Sequence, residues 1–375
     1  MFSALKRKLG LVTPPPVVAE LTFKARVIDF WAWYAEIAPR FLATIDAGDW
    51  AKLTDEVSTK VKGLLDFGAW EFGPGANKQG HSFTLTGEGD RHLQLLTCCW
   101  LSRAPKLSGW TFYASRQSCA IAGHRMTYAG QEFKPIEFWL SPSLDTGREI
   151  IDLTVWHPQF EVMEEKQRWF VLFLVLDQVL GEIGTQQWVG KIKLNNERLA
   201  DAMPIAELPA FVQETQVKTG WKKYPPGGAY TGYTIKEQHE RFARGDIYTG
   251  TTSHMNLVDD YLEAAGEMEN PLAGKGADFV FVAFDASILP RGEEVDVRAR
   301  IEDALDAALR AEASGQSLGG AMGRNFAYVD LLILDGAASL AIMRKILAEQ
   351  RLPPETTINF FAKEKRGQQI MLGVR

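Results

Sequence analysis

Ser317 stands in Gly315-Gln316-Ser317-Leu318-Gly319, the G-x-S-x-G spacing of a nucleophile elbow, in which a sharp strand-to-helix turn lifts a serine hydroxyl above a sheet. An elbow serine takes its proton-accepting histidine from later in the chain. Here the last histidine is His254, upstream of the serine. The flanking pattern is inverted as well, because an amphipathic helix leads into the motif and an apolar strand leaves it. These residues read as a glycine-rich helix-to-strand connection.

Metal, thiol and phosphate-loop chemistry have no firmer footing. His81, His92, His124, His157, His239 and His254 form no H-x-x-x-H or H-E-x-x-H pair, so spacing proposes no metal ligands. Cys98, Cys99 and Cys119 fit neither a disulfide framework nor a zinc knuckle and read as reduced core thiols. Ala273-Gly274-Lys275-Gly276 lacks the leading glycine of a phosphate loop, with Glu269 in its place, and no Ser or Thr follows Lys275. No cofactor and no metal are expected. Asp177 and Glu182 sit at a helix end marked by Gly181, where solvated carboxylates are expected. A buried acid there, or at Asp330, would support a carboxylate-dependent hydrolase, with strongly shifted acids in a closed pocket.

Arg324-Asn325-Phe326-Ala327-Tyr328-Val329-Asp330-Leu331 approaches the RNA-recognition signature of basic residue, glycine, aromatic, small residue, aromatic, valine, any residue, aromatic. Val280-Phe281-Val282 resembles its companion strand. Strand alternation puts Phe326, Tyr328, Asp330, Leu332 and Leu334 on one face and Ala327, Val329, Leu331 and Ile333 on the other. If the aliphatic face meets helices, Phe281, Phe326 and Tyr328 lie on the opposite face beside Asp330, with Arg324 at the strand entry. These are the candidate binding residues. Asn325, Leu331 and the acidic Asp330 depart from the signature, and Asp330 repels phosphate.

The elements that must position them follow from periodicity. Phe30, Trp33, Tyr34, Ile37, Phe41 and Ile45 recur at helical spacing. Residues 50–65 continue as helix, "WEFGPG" (70–75) is a short strand, and strand segments at 81–86, 109–116, 136–140, 149–157 and 187–194 alternate with helices at 90–102 and 161–180. Beyond residue 230, a strand at 246–251 and a helix at 254–264 precede the most legible third. There an apolar strand at 279–284, a helix carrying Val297, Ile301, Leu305 and Leu309, strands at 317–322 and 326–334, a helix with Leu340, Met343 and Leu347, and a strand at 356–361 give β-α-β-β-α-β, the ferredoxin-like order.

The expected protein is α+β with two sheet-and-helix domains. A flexible basic leader covers 1–20, with Lys6, Arg7, Lys8 and Pro14-Pro15-Pro16. An N-terminal α+β domain covers 21–203, a Pro/Gly-rich linker 204–229, and a ferredoxin-like domain 230–375. The formal net charge of −6 supplies no global attraction for nucleic acid or acidic membranes. The longest apolar run, Trp169 to Leu176, is far below the roughly 20 residues of a membrane span. A cytoplasmic location without membrane contact is expected.

"FWAWYAEIAPRF" (30–41), "WEFGPG" (70–75), "RAPKLSGWTFYASR" (103–116) and "LDQVLGE" (176–182) together resemble a family of bacterial cytoplasmic proteins. Its pattern is an aromatic FWxWF helix, an EFG turn, an AP.L.GW.F.A strand entry and an LLDxxLGE helix end. Tyr34 stands where that pattern has Phe, and Asp177 matches its acid. The resemblance spans most of residues 27–195 and implies a fold but no reaction. The expectation is therefore a non-enzymatic protein-binding or regulatory protein, of toxin-neutralising (immunity-like) type, acting through an exposed sheet face or an interdomain cleft. Single-stranded RNA binding and carboxylate-dependent hydrolysis are its alternatives.

Overall fold

The computed structural model describes residues 21–128, 130–236 and 241–373. The leader expected at 1–20 lies outside them. Helix α1 (Phe23–Asp46) begins where the Thr22 hydroxyl accepts the Ala25 N–H, and it buries Phe23, Val27, Phe30, Trp31, Tyr34 and Phe41. Helix α2 (Thr54–Lys60) runs on through a single π-helical stretch at Val61–Leu65. Strands β1 (Ala69–Pro74) and β2 (His81–Thr86) pair antiparallel, and helix α3 (Arg91–Leu101) crosses over to a parallel β3 (Trp110–Tyr113). The Asp90 carboxylate caps α3 by accepting from the N–H groups of His92 and Leu93.

A hairpin of β4 (Met126–Tyr128) and β5 (Gln131–Phe133) precedes β6 (Trp139–Asp145) and β7 (Ile150–Trp156). The strand expected from residue 136 starts at Trp139, because Pro135–Glu137 forms a 3-10 turn with proline at its first position. Helices α4 (Glu165–Leu180) and α5 (Glu182–Trp188) lead to β8 (Val189–Leu194), which lies parallel to β7; a short β9 (Met203–Pro204) closes the order β8-β7-β6-β9. The segment 204–229 is not an extended connection throughout. It holds α6 (Leu208–Thr219), with Pro209 in the first turn, where the missing N–H forfeits no helical bond. Ile205, Leu208, Val212 and Trp221 are buried in one cluster with β6, β7 and α4.

The remaining strands are β10 (Thr231–Thr234), β11 (Ile247–Thr252), β12 (Asp278–Asp285), β13 (Gly315–Gly323), β14 (Phe326–Ile333), β15 (Thr357–Phe360) and β16 (Ile370–Met371). They form one sheet in the order β10-β11-β13-β14-β12-β15-β16, all pairs antiparallel. Helix α7 (Met255–Glu263) follows β11, α8 (Glu294–Ala311) follows β12, and α9 (Gly336–Glu349) follows β14. Mixed α+β architecture with several sheets is thus present among the described residues.

Alternation sorts this sheet's side chains as the sequence requires. Val280, Val282, Phe284, Ala327, Val329, Leu331 and Ile333 pack against Leu305 and Leu309 of α8 and Met343 and Leu347 of α9. The opposite face is not open. Phe279, Phe281, Tyr328, Leu332 and Leu334 share a buried cluster with Phe23, Phe30 and Tyr34 of α1 and with Leu95 and Trp100 of α3. Burying each such ring contributes about 2 kcal/mol, which is why segments far apart along the chain close over this face.

The glycine-rich stretch has a packing cause. Gly319 takes φ +127°, and a Cβ there would stand 2.1 Å from the Thr251 carbonyl oxygen on β11. A Cβ on Gly320 would meet Arg298 Nη1 at 1.9 Å. β13 is squeezed between its neighbour strand and α8, and only glycine fits both positions.

Candidate functional site

Phe281, Tyr328 and Asp330 are all but closed to solvent, 1%, 2% and 1% exposed, and the open aromatic surface expected for them does not exist. Asp330 instead forms a buried pair with Arg244: Nη2 donates to Oδ2 at 2.9 Å and Nη1 donates to Oδ1. The guanidinium lies 5.2, 5.1 and 5.0 Å from the ring centres of Phe281, Tyr328 and Phe361. Burial opposes its charge, but Asp330 outweighs that and holds Arg244 above its ordinary value. This is an internal pillar of the sheet, with no room for a base to stack.

Phe326 is the exception, 45% exposed at the first position of β14. Asp246 fixes it there. The Asp246 carboxylate accepts from Tyr328 Oη at 2.6 Å, from Asn325 N at 2.9 Å and from Phe326 N at 3.2 Å, and its carbonyl accepts from Arg324 N at 3.0 Å. Burial and the bond to Asp246 both push the Tyr328 phenol up, so it stays a donor. The β13–β14 turn carrying Arg324 and Phe326 is thereby locked from beneath. Asp246 carried no sequence signal beyond its place as first residue of the strand expected at 246–251, which begins instead at Ile247.

Around this turn lies a groove of about 1050 Å³ across one end of the sheet. Tyr248 at the start of β11, Phe326, and Val295 at the start of α8 give it exposed apolar walls. Its charges are Arg324 against Asp285, Glu294 and Glu355. Thr356 joins the lining, and its Oγ1 is buried without a hydrogen-bond partner. An unmet buried hydroxyl costs about 1–3 kcal/mol.

The carboxylates proposed for catalysis serve the fold. Glu182, expected at a solvated helix end, is 1% exposed. It accepts from Thr86 Oγ1 at 2.5 Å, Gln94 Nε2 at 2.8 Å, Gly89 N at 2.9 Å and Arg116 N at 3.3 Å. With its acceptor positions filled it ties the β2–α3 loop to the start of α5. Asp177 nearby is raised, by burial first, against a hydrogen bond from Thr185 and with the charge of Glu182 adding to it. Neither Asp330 nor Glu182 lines the groove.

Ser317 is buried within β13, its hydroxyl donating to Glu302 Oε1 at 2.7 Å and accepting from Gly319 N at 3.0 Å. It is a strand residue in a polar network with Arg298 and Glu302, far from elbow geometry. Burial pushes the Cys98 and Cys99 thiols up to about 12 and about 11, whereas Cys119 is exposed rather than in the core. Among the described residues no group of three or more His, Cys, Asp or Glu is placed to hold a metal, and no helix is long and apolar enough to cross a membrane.

Comparison with protein-family models, with curated proteins and with solved structures finds no match to this chain. The likeness to the bacterial family therefore rests on the motifs quoted above.

Proposed function

We propose that the protein is a non-enzymatic binding protein whose contact surface is the groove at the β13–β14 turn, and that its partner is a protein segment bearing both basic and apolar side chains. The observation that carries this is Phe326, a large ring held in solvent by a buried aspartate while its sheet neighbours are covered. With Tyr248 and Val295, 43% and 56% exposed, it makes one apolar patch around the groove, and clustered apolar surface rimmed by polar groups marks interaction sites. The excess of Asp285, Glu294 and Glu355 over Arg324, in a chain of net charge −6, favours a basic partner. The order β13-β14-β12-β15, with α8 and α9 on one face, supports treating residues 278–360 as a ferredoxin-like plait that displays this groove.

Selection of random peptides on phage against the protein, with counter-selection on Phe326→Ser/Tyr248→Ser, tests the proposal. Both side chains are exposed, so the variant should fold. A consensus with lysine or arginine beside aromatic or aliphatic residues, lost on the variant, is expected. No consensus, or one retained by the variant, refutes it.

A further inference from the structure

A second cleft, of about 670 Å³, opens on another side of the molecule, between the β6–β7 turn, α3, β8 and the start of α7. Its charged lining residues are Arg91, Arg148 and Lys191; no Asp or Glu lines it, although the chain as a whole is acidic. Arg91 and Lys191 form no ion pair with a described carboxylate, Arg91 donating instead to the Gln186 carbonyl at 3.4 Å, while Arg148 pairs with the half-buried Asp145, at 4.0 Å between side chains and 3.1 Å from its backbone N–H to Oδ1. The nearby carboxylates, Asp145 beside Arg148 and Asp152 on the Lys191 backbone N–H, lie outside the lining, so the charges facing the cleft are cationic and an anion there is favoured. Ile150, Ile183, Tyr224 and Pro225 add an apolar wall. Ser253, His254, Met255 and Asn256 bring in the first turn of α7, whose N–H groups and dipole favour the same sign of ligand.

The buried wall of this cleft holds a hydrogen-bonded chain. Asp260 Oδ2 lies 2.9 Å from His92 Nε2, and His92 Nδ1 lies 2.8 Å from His254 Nε2. Asp260 is part exposed, and His254 is 5% exposed. With both rings neutral, His92 donates to Asp260 and accepts from His254. The proton of His254 is then on Nε2, and its Nδ1 is a bare lone pair. The alternative arrangement moves the Nε2 proton of His254 to His92 Nδ1, while Nδ1 of His254 gains a proton from solvent. His92 becomes an imidazolium beside the Asp260 carboxylate, and His254, still neutral, now bears an N–H on Nδ1. The groups around the two rings are Asp90 and Arg91 from α3, Asp260 from α7 and the Phe279 ring from β12. Burial, with His92 and Arg91 adding to it, keeps His254 itself from carrying charge.

We propose that this cleft binds a small molecule bearing a phosphate monoester, and that binding draws in one proton, placed on His92 and presented to the ligand as the Nδ1–H of His254. The cations set the affinity, and the Asp260–His92–His254 chain couples it to pH.

Isothermal titration of the full chain with phenyl phosphate, with phenol as the uncharged comparison, tests this at low salt and pH 8, where the monoester is a dianion. Buffers of different ionisation enthalpy count the protons. Phenyl phosphate should bind with uptake approaching about one proton per ligand, and phenol should not bind. Arg91→Ala/Lys191→Ala, both changes at exposed side chains, should weaken binding about tenfold or more. His92→Gln, and independently the milder Asp260→Asn, should bind with proton uptake largely lost. Absence of binding, equal binding of phenol, an unchanged Kd in the double variant, or undiminished uptake in both relay variants would each overturn the proposal.

Discussion

Acid should unfold this protein through one identifiable imidazole. Burial, then the neighbouring His92 and Arg91, hold His254 down to about 3 in the folded chain, against an ordinary value of 6.5. A group whose folded value is depressed binds protons more readily when unfolded, so the stability it confers is present above pH 6.5 and is lost as the pH falls toward 3. Between pH 7 and pH 5 the two values give a loss of about 2 kcal/mol, and the loss grows further to pH 4. His157 adds to the same trend, its value lowered by burial against the backbone of Lys134 and the charge of Glu137. His254→Gln separates the two, because a glutamine amide can donate to His92 Nδ1 but does not titrate. Urea unfolding at pH 7, 6 and 5, with m-values checked for constancy, should show the parent losing about 2 kcal/mol more than His254→Gln over that range. Equal losses in the two proteins would show that His254 is not held neutral and would refute the assignment of the Asp260–His92–His254 chain.

Arg244→Met should cost about 3–5 kcal/mol by leaving Asp330 buried and unpaired, and Arg244→Met/Asp330→Leu should recover part of it; urea midpoints of the three proteins decide, and an additive double variant refutes the pairing. Tyr328→Phe removes the 2.6 Å bond to Asp246 and should cost about 1–2 kcal/mol while loosening the turn of Phe326, visible as faster amide exchange at Asn325 and Phe326. Gly320→Ala should be severely destabilising, because its Cβ meets Arg298 and the Tyr328 carbonyl, whereas Gly63→Ala meets nothing within 4 Å and should stabilise by about 0.4–1 kcal/mol; thermal melts of the pair check this. Thr86→Val leaves one oxygen of Glu182 without its 2.5 Å donor and should cost about 2 kcal/mol, read from the same melts.

Local pattern was enough wherever a residue's neighbours in sequence are also its neighbours in space. The aromatic spacing of α1, the period-two alternation of β12 and β14, the i, i+4 stripe of α8 and the inverted context of Ser317 each translate directly into which face is buried and which chemistry fails. The division of β14 into an aliphatic and an aromatic face was legible, because strand geometry leaves no other choice, whereas which face the helices cover is decided by the packing of α8 and α9 on the aliphatic one. What covers the aromatic face was not legible, since Arg244, Tyr261 and Phe361 close over Phe281 while α1 and α3 join the same buried cluster from far along the chain, and periodicity carries no information about contacts of that range. The Pro/Gly composition of 204–229 likewise suggested a connection, while a proline in the first turn of α6 is compatible with a helix that tertiary packing of Leu208 and Val212 then secures. The same holds for polar groups. Asp246, Glu182, Arg244 and the three members of the histidine relay look like scattered surface charges in the sequence, and only the tertiary fold brings each to its partner. A polar side chain's chemistry is set by the dielectric and donors around it, and those are properties of the folded chain.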